Sequence, residues 1–179
     1  MPDPYPALQA TYHSPLGPMT MVVSPVGLAA LWWSDTDGPL QRSSFEPHCQ
    51  DSASDNPVHR QTVAWLDAYF SRRPCPPAPT LDLQGSDFRL RVWSRLLSIP
   101  YGQTTTYGRL AGLIATDMDR PRMSAQAIGQ AVGSNPVCLI VPCHRVIGSD
   151  GSLTGYAGLL WRKKVLLSLE KGETPPPDL

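Results

Sequence analysis

No run of about 18 apolar residues occurs in the chain, so no membrane-spanning helix is expected. The sequence does not open with a basic, apolar leader pattern, and a cytoplasmic location is expected. Cysteine is scarce: four residues, Cys49, Cys75, Cys138 and Cys143, at irregular spacing. That pattern does not suggest a disulfide framework, and a reactive thiol among them would argue for a reducing compartment. Neither a Cys-x-x-Cys nor a His-x-x-x-His spacing is present. His48, Cys49, His59 and Cys75 could in principle converge, but no metal is expected. Internal repeats are absent. So is net charge, since 15 Lys and Arg balance 15 Asp and Glu. For the chain as a whole, that balance argues against a nucleic-acid partner.

The balance conceals an asymmetry. Residues 1–86 hold 4 Lys and Arg against 8 Asp and Glu, while residues 87–172 hold 11 against 5. The last seven residues hold none against 2. The second half is therefore positive, which points to a polyanion partner for that half alone. Ordinary solvated surface charge is the alternative.

With 179 residues, 41% of them hydrophobic, the chain can bury a core as one large domain or two small ones. Leu8–Trp33 reads as β-hairpin material, punctuated by Pro15-Leu16-Gly17-Pro18 and Ser24-Pro25-Val26-Gly27. Asp35–Asn56 is polar and rich in Ser, Asp and Pro, and reads as a long loop. Val58–Arg72 has helical periodicity after the start signal Asn56-Pro57. Arg73–Thr80 contains four prolines and reads as an extended linker. Asp87–Ser98 is a second amphipathic helix, stopped by Ile99-Pro100-Tyr101-Gly102. Thr105–Ser134 then reads as helix, turn, helix. Thr106 caps Tyr107–Ala115, Thr116–Met123 is a loop, and Ser124 caps Ala125–Val132. The second of these helices carries small residues at Ala125, Ala127, Gly129, Ala131 and Gly133. Small residues allow close approach to another backbone, whether a neighbouring helix or a groove wall.

Val137-Cys138-Leu139-Ile140-Val141 reads as a short buried strand between the turn signal Asn135-Pro136 and Pro142. Just past it stands Pro142-Cys143-His144-Arg145. A thiol beside an imidazole and a guanidinium is favoured as thiolate, the reactive form. The bland alternative is a free Cys buried as a small hydrophobe, the reading given to Cys138.

Taken together, several motifs resemble one family. They are Asn135-Pro136, Pro142-Cys143-His144-Arg145-Val146, Thr154-Gly155-Tyr156-Ala157-Gly158 and Leu166-Leu167-Ser168-Leu169-Glu170. Phe88…Val92-Trp93, Ile99-Pro100-Tyr101-Gly102 and Thr106-Tyr107 precede them in matching order and spacing. The resemblance is to the O6-alkylguanine-DNA alkyltransferases, also called methylated-DNA–protein-cysteine methyltransferases. It is specific from about Asp87 to Gly172 and loose before Leu81.

The resemblance implies an α/β (α+β) fold. Residues 1–84 would form a small structural sheet domain, ribonuclease H-like, with one or two helices. Residues 85–173 would form a mainly helical DNA-binding and alkyl-transfer domain, with a helix-turn-helix of the winged-helix type. Residues 174–179, with Pro175-Pro176-Pro177, would be a disordered tail. The implied reaction is direct repair. The protein flips O6-alkylguanine out of duplex DNA and moves the alkyl group onto its own cysteine, once. No cofactor is implied, and the partner is double-stranded DNA met as a monomer through the minor groove.

The roles map residue by residue. Cys143 is the nucleophile, His144 the general base acting through a water, and Glu170 the group that orients His144. Taken alone, Glu170 would read as an exposed helix-end carboxylate. Asn135 fixes the active-site turn. Tyr107 drives the nucleotide into the pocket. Tyr156 and Ala157 belong to a lid, Val132 lines the opposite wall, and the carbonyls of Cys143 and Val146 accept from the guanine amino group. Arg145 organises the turn. Ser124, Ala125, Gln126, Ala127 and Gly129 form the DNA-docking surface. One departure stands out: many relatives place an Arg in this helix to fill the gap left by the flipped base, and here that position is Gln126. The nearest Arg, Arg122, lies before the helix. A lesion-binding module without transfer and a Cys-His hydrolase are the competing readings. Intact Cys143 speaks against the first, and the helix-turn-helix and lid against the second.

Overall fold

Pro15–Leu16 and Ser24–Gly27 turn the chain where the sequence signals it, and three antiparallel strands result. They are β1 (Tyr5–Ser14), β2 (Gly17–Val23) and β3 (Leu28–Trp33). The structure is a computed structural model and describes residues 5–36, 45–49 and 55–174. The chain divides into two compact units, residues 1–84 with 136–138, and residues 85–135 with 139–179.

In the first unit a fourth strand, β4 (Phe45–Cys49), pairs parallel to β1 and gives the order β3-β2-β1-β4. Asp35–Asn56 therefore contains a strand where a loop is expected. Pro47 lies inside it, and proline is tolerated at a sheet edge because one side of an edge strand donates to no neighbour. Five residues with an internal proline, set in a polar stretch, are too short a signal to be read as a strand. Helix α1 (Pro57–Phe70) packs on this sheet, capped by the Asn56 side chain, which accepts from the Val58 and His59 amides. Its inner face is Thr62, Trp65, Leu66, Ala68 and Tyr69. The Tyr12 hydroxyl of β1 donates to Asp67 Oδ1 of α1 at 2.8 Å.

The free edge of β3 is covered by chain from far away. The Leu28 amide donates to Thr80 O at 2.8 Å, and the Asp82 amide to Leu28 O at 2.9 Å. Leu31 exchanges 2.8 Å hydrogen bonds with Pro136 O and the Cys138 amide. Covering the edge removes a template for intermolecular pairing. Val137–Val141, expected as a strand, makes only one bridge, Val137 to Leu31, and then turns. Leu139 has φ +68°, which ends any extended run. The burial expected for the segment is observed, from Val137 at 0% to Ile140 at 5% exposure. A continuous apolar run reports burial but not backbone shape.

The second unit is mainly helical: α2 (Asp87–Leu97), α3 (Tyr107–Asp117), α4 (Ala125–Gly133) and α5 (Leu160–Lys171). Two short strands, β5 (Thr105–Thr106) and β6 (Val146–Ile147), pair in parallel. Thr106 caps α3 and Ser124 caps α4, both through their hydroxyls, as expected. Helix α3 runs two residues beyond Ala115. It closes with Asp119 at φ +51° and the Arg120 amide donating to Ala115 O, a Schellman-type end. Buried Trp93 of α2 donates from Nε1 to Ala131 O at 2.8 Å and ties α4 to α2. No helix among the described residues is long and apolar enough to cross a membrane.

Two glycines give a direct test of this packing. A Cβ on Gly27 would lie 2.4 Å from Thr80 O, a backbone atom that pairs with β3. A Cβ on Gly112, inside α3, would meet nothing within 4 Å. Gly27→Ala should destabilise by about 2 kcal/mol or more through the enforced shift. Gly112→Ala should stabilise by about 0.5–1 kcal/mol through helix propensity. Urea unfolding of the two variants checks both signs.

Candidate active site

Cys143 begins a single 3-10 turn, Cys143–Arg145, and is 5% exposed. The turn is held from both sides. The Cys143 amide donates to Val141 O at 2.8 Å, and the Val146 amide donates to Cys143 O. The Asn135 side chain donates from Nδ2 to Val141 O at 2.8 Å, so Asn135 braces the segment entering the turn.

Behind the turn, Glu170 projects from the last turn of α5 with a fully buried side chain. Its Oε1 lies 2.7 Å from His144 Nε2. Arg145 grips both carboxylate oxygens, Nε to Oε2 at 2.8 Å and Nη2 to Oε1 at 2.9 Å. The Gly102 amide donates to Oε2 at 3.0 Å. Gly102 sits at φ +74°, where a Cβ would also come within 3.2 Å of Glu170 O. The third Arg145 contact is Nη1 to Ile99 O at 2.6 Å. One carboxylate thus joins α5, the cysteine turn and the Ile99–Gly102 turn.

The electrostatics follow from that geometry. Burial alone would push the Glu170 carboxyl up, but hydrogen bonds from His144 and Arg145, with the Arg145 charge, hold it down to about 2. Burial pushes the His144 imidazole down, Glu170 opposes this, and the Arg145 and Lys163 charges lower it further. His144 is therefore held neutral, able to accept a proton. The Glu170 charge is shared with Arg145 rather than reserved for His144.

Tyr107 opens α3 half-buried, and its hydroxyl donates to Thr154 O at 3.0 Å and Gly155 O at 3.3 Å. Burial raises this phenol, and the Cys143 charge raises it further, which puts Tyr107 and Cys143 in one electrostatic neighbourhood. In the Thr154–Gly158 loop, Tyr156 is half-buried and Ala157 exposed. Val132 and Val146 are both buried. On α4, Ser124, Ala125 and Gln126 are exposed, and Ala127 and Gly129 are partly so, while Ile128, Ala131 and Val132 turn inward.

Sequence reading passes over Lys163. It is 0% exposed, and its Nζ donates to Val146 O at 2.6 Å and Thr154 O at 2.7 Å. Burial pushes its ammonium down to about 8, while the Cys143 charge opposes the shift. A signal was present: Lys163, Leu166 and Glu170 fall at i, i+3 and i+7, on one helix face. Among the described residues no three His, Cys, Asp or Glu side chains gather as metal ligands. The side chains of His48 and Cys49 lie outside the described residues.

The two units correspond to two known family models. Residues 8–83 match the ribonuclease-like domain of 6-O-methylguanine DNA methyltransferase, and residues 87–172 match its DNA-binding domain. The chain belongs to the 6-O-methylguanine DNA methyltransferase family. A methylated-DNA–protein-cysteine methyltransferase of Mycobacterium tuberculosis is 40% identical over 92% of this chain and 93% of its own length. Its counterpart in Methanosarcina barkeri is 37% identical over 89% of this chain and 94% of its own. A crystal structure of Mycobacterium tuberculosis OGT in complex with DNA matches with a TM-score of 0.77 and 39% identity. That match covers 94% of this chain and 95% of the other.

The Glu170 cluster sets a pH dependence. Its carboxyl is held at about 2, below the ordinary 4.5, so the folded state binds fewer protons than the unfolded chain between these values. The stabilisation is complete above about 4.5 and is lost as pH falls towards 2. Glu170→Gln also leaves Arg145 buried without its counter-charge, at a cost of about 3 kcal/mol at neutral pH. Urea unfolding at pH 7, 5, 4 and 3 should show the gap between parent and variant closing as pH falls.

Proposed function

We propose that this protein repairs DNA by direct reversal, moving an alkyl group from guanine O6 irreversibly onto Cys143. The observation that supports this most is the Cys143 turn, backed by the buried His144–Glu170–Arg145 cluster and followed by a loop tied to Tyr107. Residues 85–173 carry the reaction and residues 1–84 serve as the structural domain. A working thiolate and a DNA substrate coincide in the cytoplasm, where thiols stay reduced.

The lesion enters the reaction flipped out of the stack, because O6 is buried within duplex DNA. Tyr107 releases the lid carbonyls and turns against the flipped nucleotide. Tyr156 stacks on the base and the Ala157 amide faces O6. Val132 lines the opposite wall. The carbonyls of Cys143 and Val146 accept from the guanine amino group. Cys143 O accepts from the Val146 amide and Val146 O from Lys163, and a carbonyl oxygen carries two lone pairs.

His144 takes the Cys143 proton through a water, using Nδ1, since Nε2 faces Glu170. The thiolate attacks the alkyl carbon. The S–C bond forms as the C–O6 bond breaks, the electron pair moves onto the base, and the leaving guanine takes up a proton from water while His144 gives its own back to water. Asn135 keeps the turn in place for the attack. The thioether has no facile route of hydrolysis, so each molecule acts once. Incubation with DNA carrying O6-methylguanine should add one methyl mass to the intact protein, located on Cys143 by peptide mapping. Cys143→Ala should abolish transfer and retain lesion binding. Several turnovers per molecule, or label on Cys49, Cys75 or Cys138, would contradict the reading.

DNA docks on α4 through the minor groove, with Ser124, Ala125, Ala127 and Gly129 allowing close approach. The positive half makes affinity salt-dependent. Gln126 fills the space left by the flipped nucleotide. Gln126→Gly should then slow repair in duplex DNA by roughly tenfold, about one side-chain contact's worth, and leave transfer from the free base O6-benzylguanine unchanged. Equal losses on both substrates would assign Gln126 to the pocket or the fold instead.

A further inference from the structure

Lys163 is a buried charge near Cys143 to which the proposed chemistry gives no task. Lysine is almost never fully buried without a paired counter-charge. Here the ammonium's hydrogen bonds run to two main-chain carbonyls. Val146 belongs to β6, which follows the cysteine turn directly and pairs with β5 at the head of α3. Thr154 begins the loop read as the lid. A single Nζ therefore joins the segment leaving the cysteine turn to the first residue of that loop.

The same Thr154 carbonyl also accepts from the Tyr107 hydroxyl, and Nζ lies 5.9 Å from the Tyr107 ring centroid. Lys163 and Tyr107 thus tether the loop in different ways. Lys163 is 0% exposed, while Tyr107 is half-buried and opens a helix that faces solvent in part. We propose that Lys163 is a positioning residue, a permanent strap that holds the Thr154–Gly158 loop to β6, and that Tyr107 is its releasable latch. This rests on the alkyl-transfer reading, in which Tyr107 must leave the loop to meet the nucleotide. Were Tyr107 the sole tether, that movement would free the loop just as Tyr156 and Ala157 are needed. Burial lowers this lysine to about 8, which is the cost of holding an ammonium away from water at this position.

Amide hydrogen exchange of the free protein separates the two tethers without substrate. In Lys163→Met, amides of residues 153–159 should exchange at least tenfold faster, with those of α2 unchanged. In Tyr107→Phe, the same loop amides should rise less than threefold. Transfer from free O6-benzylguanine should then show a half-saturating concentration raised at least fivefold in Lys163→Met, with a smaller change in the saturated rate. If Lys163→Met does not fold, Lys163→Gln carries the test, because it keeps a donor without the charge. Unchanged loop exchange, a parallel rise throughout the unit, or a larger effect from Tyr107→Phe would overturn the strap. Failure of the unaltered protein to take up any alkyl group would overturn the proposed function alone, since the exchange result stands without it.

Discussion

A buried carboxylate must be satisfied completely or it destabilises the fold that buries it, and the second unit is organised around satisfying Glu170. Its oxygens receive the His144 ring, both arms of Arg145 and the Gly102 amide. These donors come from two separate stretches of chain, the cysteine turn and the Ile99–Gly102 turn, so the carboxylate fixes both against α5. The Arg145 fork suits this task because its planar donors match both oxygens at once, which a lysine could not do. With the Glu170 charge met by a guanidinium, the neighbouring imidazole can remain neutral in a dry site. A buried histidine facing an unshared carboxylate would tend instead to hold a proton. The arrangement therefore bears on chemistry as well as stability, because a base must be empty to be of use.

Much of this was legible in the sequence, because the relevant signals are local. Caps at Asn56, Thr106 and Ser124, turn residues at Pro15–Pro18 and Ser24–Gly27, and the Pro-Cys-His-Arg sequence each express a short-range constraint. The features that were not legible are long-range. Strand β4 is defined by its pairing with β1, and its five residues, with a proline at the centre and polar chain on both sides, are too short a signal to stand out. The run Val137–Val141 announces burial, yet its backbone turns at Leu139 because its partner is one residue of β3 and no full strand. Lys163 sits among Arg162, Lys164 and Lys171 in a helix whose charges read as solvated surface, and only the fold shows that Arg162 and Lys163 are covered while Lys164 and Lys171 are exposed. Arg145 was legible as an organiser of the turn, but its grip on Glu170 was not, since 25 residues separate the two.

The candidate site also illustrates how a protein that reacts once can be built without mobile machinery at its centre. In the proposed reaction the nucleophile Cys143 would sit on a braced turn, its base His144 on the same turn, and the orienting acid Glu170 at the end of a helix. The contacts that the proposed reaction must break are peripheral: those of the Tyr107 hydroxyl with Thr154 O and Gly155 O. This division keeps the reacting sulfur in place while a large substrate is admitted.

Two prolines bound the apolar segment that leads to Cys143, and they act on the molecule when it is unfolded. Pro136 and Pro142 each fix a φ angle and restrict the residue before them, so the free chain here samples fewer shapes than most heptapeptides. Less disorder is surrendered when the segment folds. That margin offsets part of the strain of holding Leu139 at φ +68°, a conformation a branched side chain resists. The sharp approach to the nucleophile therefore depends on a property invisible in the native contacts: the poverty of alternatives open to the denatured chain.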